Sequence, residues 1–248
     1  MLRAEPDPAS DPNTAPLQEH GFKNSLPRRP KLPPSGSTVR EMAVLPMFPL
    51  GNVLVPGGVL QLHVFEPRYQ ALVKDCVAAE DHEFGVVLID RGHEVGGGDM
   101  RRAVGTVARM VQVAELDGGR YAIIAIGVRR MRVNAWLPDD PYPVADIDDC
   151  PDVADLDQDG DELLRAVTAR ARRAAALALE LGDEGNEPGS ELADDILTAS
   201  YQLIDLAPIG AADAYDLLCA AGPLARMKAL DELLVGVEAI NSFRLRNP

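Results

Sequence analysis

The strongest constraint on this chain is a pair of long β-rich runs, Val104 to Leu116 and Tyr121 to Val133, separated by Asp117-Gly118-Gly119-Arg120. Aspartate–glycine turn chemistry between two such runs predicts a long hairpin. A hairpin alone is marginally stable in water, and the sequence before it supplies partners. Short apolar runs, Val59 to Val64 and Phe84 to Ile89, are bounded by Gly and Pro and read as strands. Between them Pro67 suits a first helical position, and Tyr69, Leu72, Val73, Cys76 and Val77 recur at helical spacing. Arg130 and Arg132 alternate with Met131 and Val133, which predicts one wet face on that strand. Several short strands with one inserted helix predict a small, partly closed barrel over residues 42–150.

After Asp149 the pattern turns helical. Leu163 to Leu181 is rich in Ala, Leu and Arg, with Gly182 placed to end it. Leu192, Ile196, Leu197, Leu203 and Ile204 mark a second helix, and Ala211 to Cys219 a short third. Gly222-Pro223 opens the last, with Leu224, Met227, Leu230, Leu234, Val237 and Ile240 along one stripe. Residues 151–248 therefore predict an α-helical bundle, and the chain as a whole an α+β fold. Residues 1–41 hold eight prolines and no periodicity, which predicts a disordered leader. The ordered pattern begins at Ala43, so Met42 is an alternative start. Arg28-Arg29 is followed by prolines rather than an apolar segment, which argues against an export signal.

Charge and residue inventory exclude several classes of function. Acids outnumber bases 39 to 24, and a net charge of −15 repels phosphate, disfavouring nucleic acid as a partner. The basic clusters Arg101-Arg102, Arg129-Arg130-Arg132 and Arg170-Arg172-Arg173 lack interleaved aromatics, so solvated faces or local salt bridges explain them. Cys76, Cys150 and Cys219 form no CxxC, which fits a reducing, cytoplasmic compartment and offers no zinc site. Aliphatic runs of about eight residues, such as Tyr121 to Val128, are too short for a bilayer, so no membrane partner is expected.

Catalytic constellations are missing from the 248 residues. Lys23, Lys31, Lys74 and Lys228 follow Phe, Pro, Val and Met, so no Gly-Lys exists to build a P-loop. Beyond Met42 the serines Ser190, Ser200 and Ser242 fall in the helical half, and His63, His82 and His93 in the strand half, without a GxSxG elbow. Asp155, Asp157, Asp159 and Gly160 match the opening of an EF-hand loop, but Ala166 stands where a bidentate Glu should close it. Eleven acids and no Lys or Arg lie between Asp139 and Glu162, which reads as a solvated, self-repelling linker. Gly96-Gly97-Gly98 has no following helix and reads as a hairpin tip. No cofactor, metal or catalytic residue is expected.

A series of words in the strand half resembles the N-terminal substrate-binding domain of the Lon ATP-dependent proteases. They are Leu45-Pro46-Met47-Phe48-Pro49-Leu50, Val53-Leu54-Val55-Pro56-Gly57, Leu60-Gln61-Leu62 and Phe65-Glu66-Pro67-Arg68-Tyr69. Phe84-Gly85-Val86-Val87-Leu88, Gly105-Thr106-Val107-Ala108 and Asp117 to Tyr121 continue in the same order. Ala207-Pro208 and Leu224-Ala225-Arg226-Met227-Lys228 are similar to that domain's closing helices, extending the resemblance over about residues 43–240.

The resemblance implies a PUA-like β pseudo-barrel with one inserted helix, followed by the helical bundle. It implies binding rather than cutting of polypeptide: a non-catalytic, stand-alone Lon-type domain acting as an adaptor or sensor linked to ATP-dependent proteolysis. The implied partners are unfolded or damaged polypeptides, or a proteolytic or chaperone machine. Phe48, Phe65, Glu66, Arg68 and Tyr69 are the candidate polypeptide-binding residues. Each also has a packing role open to it: the aromatics in the core, Glu66 with Arg68 as an internal ion pair. Two other functions compete, a protein-docking or small-molecule-binding scaffold and a PUA-like RNA-binding module.

Overall fold

The computed structural model describes residues 43–91, 100–153 and 160–247. The leader, the Met42 start, the Gly96–Gly98 tip and Asp155 to Asp159 of the calcium-like loop lie outside them. In chain order the elements are β1 (Ala43–Leu50), β2 (Val59–Val64), α1 (Pro67–Ala78), β3 (Glu83–Arg91), β4 (Met100–Leu116), β5 (Arg120–Leu137) and β6 (Val144–Asp149). Four helices follow: α2 (Gly160–Glu180), α3 (Ile196–Leu206), α4 (Ala211–Leu218) and α5 (Pro223–Arg246). No helix among the described residues is long and apolar enough to cross a membrane.

The expected hairpin is the spine of the barrel. β4 and β5 pair antiparallel from Leu116–Arg120 to Val104–Arg132, around a tip where Gly118 and Gly119 adopt positive φ. Outward from β4 come β3, then β1 parallel to β3, then β6 antiparallel to β1. β6 returns to pair with β5 over Met131–Leu137, closing a ring. β2 stands outside that ring, paired with Tyr121–Ile126 at the other end of β5.

β5 serves both β2 and β6 because it bends between them. Val107 faces Arg129 and Ala108 faces Gly127, so Val128 is an extra residue, a bulge that turns the strand. At the bend the segment after β1 crosses β5 in close contact. Gly57 N–H donates to the Gly127 carbonyl (2.8 Å), Gly127 N–H donates to that of Gly58 (2.9 Å), and Thr106 Oγ1 donates to that of Leu54 (2.6 Å). A Cβ on Gly127 would lie 2.2 Å from the Val55 oxygen, so no other residue fits there. Gly57 itself has φ +83, a conformation glycine tolerates.

Two apolar clusters fill the barrel half. α1 lays Tyr69, Leu72, Val73 and Cys76 against Phe48, Phe84 and Met110, while Met47, Val107, Met131 and Ile147 fill the ring. The bundle core, built on Ala171, Tyr201, Leu203, Leu217, Met227, Leu230 and Leu234, also takes in Val55 and Val104 from the barrel. The α5 stripe fades toward its end: Leu234 is buried, whereas Ile240 is exposed.

Two sequence expectations are corrected at this seam. The described part of the acidic stretch 139–162, residues 139–153 and 160–162, is not a solvated linker. Val144–Asp149 within it is strand β6, and its acids meet arginines: Asp139 with Arg101, Asp149 with Arg129, Asp152 with Arg226. Nor does Arg130 lie on a wet face. It is buried and donates to the carbonyls of Cys150, Pro151, Leu218 and Ala220, tying β5 to the end of α4. Arg132, on the same face two residues on, is exposed as expected; the reading fails at Arg130 because the helical half covers β5 there.

The centre of this polar knot is Asp152. Its Oδ1 accepts from Arg226 Nη2 (2.5 Å) and lies 3.6 Å from Arg130 Nη2, while its Oδ2 accepts from the Tyr201 hydroxyl (2.6 Å). Arg226 has no solvent exposure, donates further to Ser200 Oγ and the Leu217 carbonyl, and stacks 3.6 Å from the Tyr201 ring centroid. Burial holds the Tyr201 phenol protonated well above its usual range, keeping it a donor. Removing one partner of a buried pair strands the other, so Arg226→Ala should cost about 3–5 kcal/mol in urea unfolding. A cost below about 1 kcal/mol would mean the knot does not hold the halves together. Gly127→Ala should cost about 1–3 kcal/mol or more, because the bulge and the crossing segment must separate.

Candidate functional site

The five candidate residues gather where β2 hands over to α1. Phe65 follows the strand, and the Glu66 carbonyl accepts from the backbone of Tyr69 and Gln70, starting the helix with Pro67 in its first turn. The Glu66 carboxylate makes no cap bond and instead accepts from Arg68 Nε at 3.0 Å. The Arg68 guanidinium lies 4.4 Å over the Tyr69 ring. Tyr69 stacks on Phe48 with centroids 4.0 Å apart and planes 14° from parallel, and Phe48 meets Phe84 at 6.3 Å.

The five therefore differ in what they can offer a ligand. Phe48 and Tyr69, 8% and 3% exposed, have their rings in the barrel core. Glu66 and Arg68 form the internal pair, at the surface. Phe65 is 58% exposed, a large ring left in water beside an ion pair. Isolated surface aromatics are common, but this one adjoins a strand whose outer edge has no strand partner among the described residues.

At the opposite end of β2 a groove of about 480 Å³ separates the barrel from the bundle. Leu50, Leu54 and Leu60 form its barrel wall, and Leu206 with Leu192 its helical wall. The loop 186–193 is fixed above α3 by Asn186 Nδ2 donating to the Asp205 carbonyl (2.7 Å) and Ala193 N–H donating to Gln202 Oε1 (2.7 Å). Both bonds leave the Asp205 carboxylate unused, and among the described residues it has no hydrogen-bond or ion-pair partner. Solvent reaches it through the mouth of the groove, yet the surrounding apolar mass raises its pKa to about 6. Sequence reasoning missed Asp205. The signal was present in Leu203-Ile204-Asp205-Leu206, an acid set among the most apolar residues of α3.

Other chemistry finds no assembled site. Burial, with Asp81 and Asp75 nearby, pushes the Cys76 thiol up to about 12, and burial raises Cys219 as well, so neither is an activated thiolate. Among the described residues no three His, Cys, Asp or Glu side chains group as metal ligands do. The basic clusters are engaged locally: Arg101 with Asp139, Arg129 with Glu83 and Asp149, Arg170 with Asp231, Arg173 with Glu238. Arg102 lies 5.0 Å from the Tyr215 ring centroid.

Comparison with known proteins fits this architecture. The family model of the ATP-dependent protease La (LON) substrate-binding domain matches residues 44–236. The chain is 34% identical over 167 residues to a Lon protease of Anaeromyxobacter dehalogenans, an alignment covering 66% of this chain and 19% of that protein. A Lon protease 2 of Myxococcus xanthus is 34% identical over 166 residues, with the same coverage. The chain thus spans about a fifth of the length of the curated relatives it matches. Among solved structures it resembles a Lon N-terminal domain protein from Xanthomonas campestris, with TM-score 0.55, 28% identity, and 78% of this chain and 98% of that one covered. The N-terminal domain of a Mycobacterium avium complex Lon protease shares the fold at TM-score 0.51 and 18% identity, covering 77% and 98% of the two chains. With the barrel, the inserted helix and the bundle all accounted for, the chain belongs to the Lon substrate-binding domain family.

Proposed function

We propose that this domain captures extended segments of unfolded or damaged polypeptides and works without catalysis of its own, as an adaptor or sensor for an ATP-dependent proteolytic or chaperone machine. The observation that carries the reading is the open edge of β2, which runs between the exposed Phe65 ring and the barrel–bundle groove. Six residues of strand span about 20 Å, enough to pair with a short extended segment. Main-chain pairing at such an edge is indifferent to client sequence, while Phe65 and the groove favour clients with apolar side chains. A fully buried side chain contributes roughly 1.5–3 kcal/mol before ordering costs, so one or two anchors give weak, reversible capture. Phe48 and Tyr69 contribute from beneath by fixing the start of α1, and Glu66 with Arg68 by framing Phe65.

Such capture takes place in the cytoplasm, away from membrane lipid. The docking-scaffold alternative differs in preferring a folded partner. An RNA-binding role is opposed by the charge of −15 and by the pairing of Arg129 and burial of Arg130.

The test titrates the purified chain against a labelled, permanently unfolded polypeptide by fluorescence anisotropy, at low and high salt. The folded parent and a single-stranded RNA serve as comparators. Salt-resistant binding to the unfolded chain alone is the expected result. Phe65→Ser should weaken it by about three- to tenfold while leaving the melting temperature within a few degrees. Binding of the folded parent as tightly as the unfolded form would favour the scaffold, and no binding of either would end the capture reading.

A further inference from the structure

The groove at the start of β2 differs from a simple apolar cleft in one respect. Its lining contains two acids, Asp205 and Glu191, and no lysine, arginine or histidine. Both acids are open to solvent, but Asp205 sits against Leu54 at the barrel wall, and its Oδ2 lies so close to Gly58 that a side chain there would crowd it. A Cβ there would lie 3.2 Å from Asp205 Oδ2 and 3.3 Å from Leu54 Cδ1. The apolar wall beside it and the lack of a partner favour its neutral form, raising its pKa to about 6. The same surroundings strengthen its attraction for a cation that arrives with apolar surface attached.

We propose that this groove is a specificity pocket for a lysine or arginine side chain of the captured polypeptide, with Asp205 receiving the cationic head and Leu54, Leu60 and Leu206 covering the alkyl stem. The inference rests on the capture reading above and adds a preference to it. Long basic side chains match the lining, because they carry three or four methylenes before the charge. The geometry also fits a client lying along β2, since Val59 and Leu60 belong both to that strand and to the groove wall. A client segment paired on the edge near Phe65 would thus present a side chain to Asp205 about six residues further along.

Protonation sets the working range. The pocket needs Asp205 ionised, and its pKa is raised from the usual carboxylate range to about 6, so the preference is full well above that pH and fades as the pH falls through it. The charged groups around the groove are mostly acidic, the exception being Arg172 of α2, which donates to the carbonyl of the lining residue Ser190 (3.1 Å). Glu191 shares the groove, and Asp183 and Glu184 line the adjoining cavity, Asp183 already held by Arg244. The barrel segment and α2 contribute no charged lining residue to either cavity.

The experiment uses three labelled, unstructured twelve-residue peptides of equal apolar content, with Lys, Arg or Gln at the centre, titrated against the full chain by anisotropy. The Lys and Arg peptides should bind about tenfold more tightly than the Gln peptide near pH 7.5, and the difference should shrink toward pH 5. Asp205→Asn should erase the difference and its pH dependence, so that all three peptides bind alike. Its melting temperature near neutral pH should equal or exceed the parent's, because a raised carboxyl pKa destabilises the fold once the group ionises. Glu191→Gln separates the pocket from the overall negative charge. If it removes the preference as fully as Asp205→Asn, or high salt abolishes it, bulk attraction explains the result and the pocket is overturned. Equal binding of all three peptides overturns the pocket and leaves polypeptide capture standing. Binding of none overturns the capture reading itself.

Discussion

A guanidinium with no access to water is tolerable only where its charge and donors are met, and the arrangement of this protein follows from how Arg226 meets that demand. Asp152 comes from the segment after β6, Ser200 and Tyr201 from α3, and the Leu217 carbonyl from the end of α4. Arg130 adds β5 to the same centre through the carbonyls of Cys150, Leu218 and Ala220. Three helices of the bundle, the segment after β6 and one wall of the barrel are thus positioned by one charged cluster. Apolar contact alone, of Val55 and Val104 with the helical core, is non-directional and would permit the halves to slide. Hydrogen bonds of fixed geometry do not.

The second determinant is the bend in β5. Closing a ring with β6 and retaining β2 on the same strand are competing demands, met because the bulge at Val128 divides β5 into two pairing segments. Gly127 at that point lets the Leu54–Gly58 segment lie directly on the strand, which places Leu54 and Gly58 under α3. The groove and the open edge of β2 are therefore products of one backbone irregularity. Phe65 at one end and Asp205 at the other are the side chains left available once the ring and the seam are satisfied.

Much of this was legible from periodicity. The hairpin, β2, β3, α1 and the four bundle helices follow from alternation, helical spacing and Gly or Pro punctuation, because each element buries one face against a core. β6 was hidden. Val144-Ala145-Asp146-Ile147-Asp148-Asp149 looks acidic and solvated, and it is a strand because β1 and β5 leave a gap of its width while arginines of the barrel neutralise its flank. Arg130 was misplaced for the converse reason: local alternation records the sheet, not the bundle packed over it. At the candidate site the Phe-Glu-Pro-Arg-Tyr word located the start of α1, but which of its aromatics reached water depended on Phe48 from β1, a distant residue. Asp205 depended on three elements meeting and had only a faint local mark.

The long reach of α5 gives the polar knot a mechanical meaning. Arg226 lies near the first turn of a 24-residue helix whose far end carries exposed Ile240 and Phe243. That far part is held as well, Glu238 by Arg173 of α2 and Arg244 by Asp183 just beyond α2. α5 is therefore fixed at both ends, to the polar knot through Arg226 and to α2 through these pairs. It braces the bundle against the barrel, so a displacement of the helix has to break the Arg226–Asp152 contact and the surface pairs together.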